Sequence, residues 1–361
     1  MSIRVRLRCS FLPTAIGLVA VAAPWALADN GLPHPDLIVI VIEENHAYTQ
    51  IIGSASAPYI NSLAVGGVLM TQAYGITHPS QPNYIALFSG ATQGVINDSV
   101  YPHSQFTAPN LGAKLLAAGL TFGGFSQTMP SVGYDGANFG TAPATYQRKH
   151  NPWVNWQDAT VPLPANKLPA SVNMPFDGFF PSNFDNLPTI SIVAPNQLCD
   201  MHDGTIQQGD AWLQQNLSAY AAWCQSHNTL LIVTFDEDDS LHSNRIATIF
   251  YGQMVNTGQS SAQVVNHYSI LRTLEDMYSL PHDAGSVTAL PVTGIWSTPS
   301  CYPNCDASTT PPVLTANDFQ CFLNAFALGS SAANCDGSTT APVLTANDFQ
   351  CFLNAFSSGC S

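Results

Sequence analysis

DLIVIVIEEN, residues 36–45, is an unbroken apolar run that stops on two carboxylates and an amide. A strand that is apolar on both faces must be covered on both sides, as the central strands of a sheet between helices are. The design recurs. TLLIVTFDEDD (229–239) ends in Asp236, Glu237, Asp238 and Asp239. TISIVAPNQLCDMHDG (189–204) runs out into Asp200, His202 and Asp203, and NRIATIFYG (244–252) is a fourth run. All four read as central strands of a parallel sheet. QGDAWLQQNLSAYAAWCQSH (208–227) and HYSILRTLEDMYSL (267–280) read as helices. The alternation predicts an α/β sandwich with a mostly parallel central sheet.

In open α/β sheets, ligands gather beyond the carboxyl ends of the strands. Glu44 and Asn45, Asp200 and His202, and Asp236 and Glu237 are therefore expected on one edge. Carboxylates brought together need a cation, and hard oxygen donors suit Ca²⁺, Mg²⁺ or Mn²⁺ better than Zn²⁺. There is no H-E-x-x-H and no Cys/His zinc spacing in this region. THPSQPNYIALFSG (77–90) sets Ser80 ahead of a helical run. Serine before a first-turn proline is ordinary N-cap punctuation. Beside a metal it is also a candidate nucleophile, because the cation lowers the hydroxyl's pKa and the helix dipole favours both the alkoxide and an incoming phosphate. Between 29 and 297 the only basic residues besides histidine are Lys114, Arg148, Lys149, Lys167, Arg245 and Arg272. Two of them adjoin His150 in YQRKHNPWVNW (146–156), which is either a surface cluster or the place where a phosphate docks.

The 361 residues suffice for one large domain and a small one. MSIRVRLRCSFLPTAIGLVAVAAPWALADN (1–30) has three arginines, an apolar stretch and small residues before Asp29. It reads as a signal peptide, 1–28, cleaved after Ala28, with an uncleaved anchor as the alternative. No other segment is long and apolar enough to span a bilayer, so a secreted protein is expected: extracellular, periplasmic or cell-surface associated. The formal charge is −14, and removal of Arg4, Arg6 and Arg8 makes it more negative. Only 9% of residues are charged, against about 25% in an average domain. The acidic balance offers no basic face for nucleic acid.

The main domain is read as 29–297, with a linker at 298–303 and a repeat module at 304–361. NCDASTTPPVLTANDFQCFLNAF (304–326) returns almost unchanged as NCDGSTTAPVLTANDFQCFLNAF (334–356). Thr315 and Thr345 are N-cap candidates with Asp318 and Asp348 three residues on, and Phe319, Phe322, Leu323 and Phe326 form one apolar helix face. Cys301, Cys305, Cys321, Cys335, Cys351 and Cys360 crowd into this tail. A pair within each repeat and a Cys301–Cys360 clasp is the simplest of fifteen connectivities. The unit resembles a degenerate dockerin repeat. That resemblance implies calcium at Asn304, Asp306, Ser308 and Asp318 and at Asn334, Asp336, Ser338 and Asp348, though Asn and Ser replace two carboxylates and lower the ligand charge. The alternative is a disulfide-stapled helix pair for attachment to a protein or a cell surface.

Together the pieces resemble the bacterial and fungal acid phosphatase and phospholipase C family of the alkaline phosphatase superfamily. The resemblance covers nearly all of 36–297. It rests on EENHAYTQIIG, THPSQPNYIALFSG, RKHNPWVNW, CDMHDG, GDAWLQQNL, VTFDEDD and NHYSILRTLEDMYSLP, in the family's order. It implies an alkaline-phosphatase-like sandwich, at least one divalent metal ion and a phosphoserine mechanism on a phosphorylated small molecule. Matching the E-N motif, Glu44 and Asn45 are implied metal ligands. Matching S/T-x-P-N, Ser80 is the implied nucleophile and a ligand. Matching the D-E pair, Asp236 and Glu237 complete the set. His202 is the implied acid for the leaving group, and Asn83, Lys149, His150, Asp200 and His267 are candidate substrate-side or supporting residues. Superfamily members with two zinc ions use several Asp and His ligands, and this oxygen-rich set departs from them. The phospholipase branch reads E-N-R-S-F-D, whereas His46, Ala47 and Tyr48 follow Asn45 here, which favours phosphomonoesters over phosphodiesters. An inactive binding protein displayed through the tail is the other alternative. It would need a damaged site, yet Ser80, Asp236 and Glu237 are present.

Overall fold

Leu37–Glu43 (β1) is buried over six of its seven positions and lies at the centre of an eight-stranded sheet. The other strands are Val68–Tyr74 (β2), Phe122–Ser126 (β3), Asn173–Pro175 (β4), Ile190–Ala194 (β5), Thr229–Phe235 (β6), Arg245–Tyr251 (β7) and Gln259–Asn266 (β8). Their order is β8-β2-β7-β6-β1-β5-β3-β4. This computed structural model describes residues 32–297, 303–306, 312–330, 333–335, 338 and 341–359. The expected signal peptide, most of the linker, Asp336 and the Cys301–Cys360 clasp lie outside the described residues.

β1 pairs in parallel with β5 and β6, and β3 with β4 and β5, so the three acid-tipped strands point the same way, as expected. The fourth apolar run corrects the sequence reading. β7 is buried through its centre but antiparallel to both β6 and β2. The connection over 236–244 is shorter than the dozen or so residues that a parallel crossover needs.

Pro58–Gly66 (α1), Ser80–Ser89 (α2), Leu111–Ala117 (α3), Ile206–Cys224 (α4) and His267–Met277 (α5) are the helices that matter to the site. Thr205 caps α4 through the Gln208 amide, and Asn266 caps α5 through the amides of Tyr268 and Ser269. These caps fix where each helix begins. No helix of the described residues is long and apolar enough to cross a membrane.

The chain divides into two compact units. The smaller carries Ala316–Ala327 (α6) and Ala346–Ser358 (α7), with the capping boxes expected at Thr315/Asp318 and Thr345/Asp348. Phe322 and Phe352 stack at 4.2 Å in its core. Cys305–Cys321 and Cys335–Cys351 are bonded, as the within-repeat pairing predicts. The Asp318 carboxylate accepts from the backbone amides of Asp306 (3.1 Å) and Thr315 (2.7 Å), and that of Asp348 from Thr345 (2.7 Å). Asn334 donates to the Ser338 carbonyl at 2.9 Å.

Candidate active site

Three strand ends are tied together by their backbones. The Glu44 amide donates to the Asp200 carbonyl (2.8 Å), and the Asp236 amide to the Glu43 carbonyl (3.0 Å). Asn45 then adopts φ 53°, a left-handed conformation that asparagine tolerates better than most residues. The turn lets its amide donate to Asp236 Oδ1 at 3.2 Å.

Ser80 faces this edge. The helix cap is Pro79, with no side-chain hydrogen bond, so Ser80 opens the first turn and does not cap it. Its Oγ lies 3.0 Å from Glu44 Oε2, 3.3 Å from Glu237 Oε1 and 3.4 Å from Asn45 Oδ1. A hydroxyl has one proton. It can satisfy one of these acceptors, and the others are left facing each other.

Burial makes the crowding worse. Glu44, Asp236 and Glu237 are all buried. Desolvation raises the Asp236 carboxyl to about 7. Desolvation and then the charge of Asp236 raise Glu237 to about 9. Desolvation, Asp236 and Asp200 hold Glu44 well above the usual carboxylate range. Asp236 Oδ2 is buried without a hydrogen-bond partner. An oxygen-only set with an orphaned buried oxygen fits a hard divalent cation.

Around this set stand supporting groups. Tyr84, one turn on from Ser80, donates its hydroxyl to Glu44 Oε1 at 2.5 Å and stacks on His150 at 5.2 Å. His150 Nε2 lies 3.1 Å from Glu44 Oε1 and Nδ1 3.3 Å from Asp200 Oδ2. These are ion-pair distances, but Nε2 is not aligned for a hydrogen bond. Burial, Lys149 and His202 hold its pKa well below the usual histidine value, so the ring is neutral. His202 stands at the rim, partly exposed, its ring 6.2 Å from that of His150 and its Nδ1 2.8 Å from Asp203 Oδ1. Lys149 Nζ donates to Asp98 Oδ2 at 3.0 Å. Burial lowers the Lys149 pKa, but Glu44 and Asp98 outweigh it and the net shift is upward.

Two of the substrate-side candidates serve as supports. Asn83 accepts from the amides of Ile76 and Thr77, and donates to the carbonyls of Thr77 and Pro79 and to Glu237 Oε2. His267 is buried and donates from Nε2 to the Asp236 carbonyl at 2.6 Å; burial lowers its pKa to about 4. Asp200 Oδ1 accepts from the His202 amide at 2.8 Å.

The sequence reading missed Tyr84, His78 and Asp98. Tyr84 was within reach, since i and i+4 share a helix face. His78, with Nδ1 2.8 Å from Glu237 Oε2, and Asp98 come from irregular loops that carry no periodic signal. A second acidic group, Asp238, Asp239 and His242, lies next to Glu237 and has the spacing to hold a metal ion. The Asp238 oxygens there already accept from the amides of Ser240, His242 and Asn244.

Three comparisons bear on this geometry. The model of the Phosphoesterase family matches residues 54–281. A phosphatidylinositol-3-phosphatase of Mycobacterium tuberculosis is 45% identical over 291 residues, spanning 80% of this chain and 91% of that protein. A phosphate-repressible acid phosphatase of Penicillium chrysogenum is 28% identical over 272 residues, which span 73% of this chain and 64% of the fungal protein, just under two thirds of its length. Among solved structures, a protein in the alkaline phosphatase superfamily from Vibrio parahaemolyticus superposes with a TM-score of 0.50 at 12% identity, over 74% of this chain and 72% of that one. The last likeness concerns the fold alone.

Proposed function

Because the chain belongs to the phosphoesterase family, we propose that it is a metal-dependent phosphomonoesterase working through a phosphoserine at Ser80. That it is a hydrolase of phosphoric esters rests on the family match and the 45% identity to a phosphatase over most of its length. The finer reading is carried by one observation: Ser80 Oγ, in the first turn of a buried helix, sits within 3.4 Å of three oxygen acceptors from two strand ends.

Glu44, Asn45, Ser80, Asp236 and Glu237 would hold the cation, which supplies Lewis acidity toward the hydroxyl and the phosphoryl oxygens. The chain's own residues do the rest. Ser80 Oγ gives up its proton to solvent and forms a bond to phosphorus as the ester bond breaks, and His202 at the rim gives the leaving oxygen its proton. A water then attacks the phosphoserine and His202 takes one of its protons; the bond from phosphorus to Ser80 Oγ breaks, and the serine oxygen regains a proton from solvent as phosphate leaves. Lys149 and the first-turn amide of Gln81 receive phosphoryl oxygens. Tyr84 and His150 orient Glu44, as groups behind a ligand do.

The Mycobacterium relative is named for a phosphoinositide, and a lipid-headgroup phosphomonoester belongs among the substrates proposed here. Export is proposed from the basic and apolar N-terminal segment, with the disulfides of the small unit in support. The dockerin-like tail is proposed as an attachment module. Calcium there has weaker support, since Asp318 and Asp348 already accept backbone amides.

The test is hydrolysis of an aryl phosphate and of phosphatidylinositol 3-phosphate by purified protein, before and after exhaustive chelation and after return of Ca²⁺, Mg²⁺ or Mn²⁺. Activity should vanish and return. Full turnover in metal-free protein contradicts the metal role, and turnover of phosphodiesters alone moves the reading to the phospholipase alternative.

A further inference from the structure

Asp98 has one oxygen on each of the two groups that a phosphoryl oxygen should seek. Its Oδ1 accepts from the Gln81 amide at 3.0 Å, in the helix turn that carries Ser80. Its Oδ2 accepts from Lys149 Nζ at 3.0 Å. These donors come from segments distant in sequence and are bridged by one carboxylate, much as two oxygens of a phosphate would bridge them.

The alternatives for binding a phosphate are few. Lys114 is held between Glu275 and Asp283, each at 2.7 Å. Arg148 donates to the carbonyls of Asp135 and Tyr101 and to Asn155. Lys167 donates to the His103 carbonyl, Arg245 to the Thr71 carbonyl and Arg272 to Asp276. Lys149 is the cation whose pKa registers the charges of Glu44 and Asp236. Asp98 itself reaches in from the irregular stretch 91–101, with its side chain 32% exposed and with exposed neighbours at Asn97 and Ser99. That stretch is tied to α2 through Ser99, whose carbonyl accepts from Gln81 Nε2 at 3.1 Å.

If Asp98 served only to hold Lys149, the Gln81 amide would stay open to substrate. It does not: the carboxylate takes both donors. The Gln81 amide has one proton and cannot serve two anions at once, and a phosphate dianion that shared Lys149 with Asp98 would meet the repulsion of that carboxylate at close range. We propose that Asp98 is a resident competitor for the phosphoryl seat, which satisfies Lys149 and the Gln81 amide until substrate displaces it. It thereby sets the affinity for phosphomonoesters and for product phosphate. The inference rests on the reading that Ser80 receives the phosphoryl group. It assigns Asp98 to affinity and product release rather than to bond making.

The test compares the metal-loaded full chain with Asp98→Asn, which keeps the shape and removes the charge. Two quantities are read: KM for an aryl phosphate, and the Kd of inorganic phosphate by calorimetry, backed by its inhibition constant. Both should fall in Asp98→Asn by about tenfold, the effect of removing one opposing charge at close range. kcat should fall or hold as phosphate leaves more slowly. Lys149→Met should weaken phosphate in either background. Asp98→Ser serves as a second variant if Asp98→Asn folds poorly. Unchanged or weakened phosphate binding in a folded Asp98 variant overturns the proposal, and weakening would make Asp98 a positioning residue for Lys149. Wild-type protein that neither hydrolyses the aryl phosphate nor binds phosphate overturns the phosphatase reading and this inference together. Wild-type turnover with unaltered phosphate affinity in the variants overturns this inference alone.

Discussion

Ser80 is surrounded by more acceptors than its single proton can satisfy, and that excess is the strongest local argument for a cation. Burial pushes the carboxyls of Glu44, Asp236 and Glu237 above their ordinary range, and the charge of Asp236 adds to the rise at Glu44 and Glu237. A carboxyl with a raised pKa in the folded state holds its proton longer than it does when unfolded. Without metal, these groups therefore stabilise the fold least at high pH: their favourable contribution is complete below about pH 4 and is lost as pH rises toward the folded values of about 7 for Asp236 and about 9 for Glu237. A bound cation reverses this, because it binds the ionised forms and expels the protons. The melting temperatures of metal-free and metal-loaded protein should lie close together near pH 5 and separate progressively toward pH 9. A constant gap across that range would mean that these carboxyls do not hold the ion.

At the scale of elements, α2 decides the geometry. All ten of its residues are buried, which is why THPSQPNYIALFSG shows no polar stripe. Phe88 packs against Phe122 of β3 at 5.3 Å and Trp156 at 5.6 Å, and holds the helix from behind. Phe88→Ala should lower unfolding stability by about 3–5 kcal/mol, measured by denaturant titration of the main unit's transition. A loss below about 1 kcal/mol would show that packing does not seat this helix. The sequence was legible where periodicity and burial coincide. The runs at 36–43, 189–194 and 229–235 read directly as sheet-centre strands because parallel strands are covered on both faces. The direction of 244–252 was not legible, because it depends on the length of a connection and not on the pattern of the strand. β2 and β8 mix polar and apolar positions at one side of the sheet, and β4 spans only three residues, so none of them gave a strong signal. In the site, residues attached to strand ends were found from the sequence, as were Ser80 and Asn83 on α2, while Tyr84 on the same helix was missed. Asp98 and His78 were not found, since only the folded loops bring them to the Gln81 amide and Glu237.

At the scale of the whole molecule, charge and modularity set the expectations. An acidic protein with few cations sets Lys149 against Asp98, one residue from the His150 that reaches Glu44, and the phosphate seat proposed here depends on that placement. The small unit has its own aromatic core and its own two disulfides among the described residues. A unit that contributes nothing to transition-state binding contributes nothing to rate. Truncation after Ser297 should leave kcat/KM within about twofold on a soluble aryl phosphate. A large loss of kcat in a truncated chain that still melts cooperatively would place part of the active site in the tail.

The most direct measurement is chemical trapping of the intermediate. Metal-loaded protein is mixed with phosphate-labelled aryl phosphate, quenched in acid within a turnover and digested, and the label is located by mass spectrometry. The account predicts phosphate on the peptide containing THPSQPNY, at Ser80, with no labelled peptide from Ser80→Ala and a fall in that variant's turnover of roughly three orders of magnitude or more. Label on another residue, or a folded Ser80→Ala protein that keeps most of its activity, would contradict it.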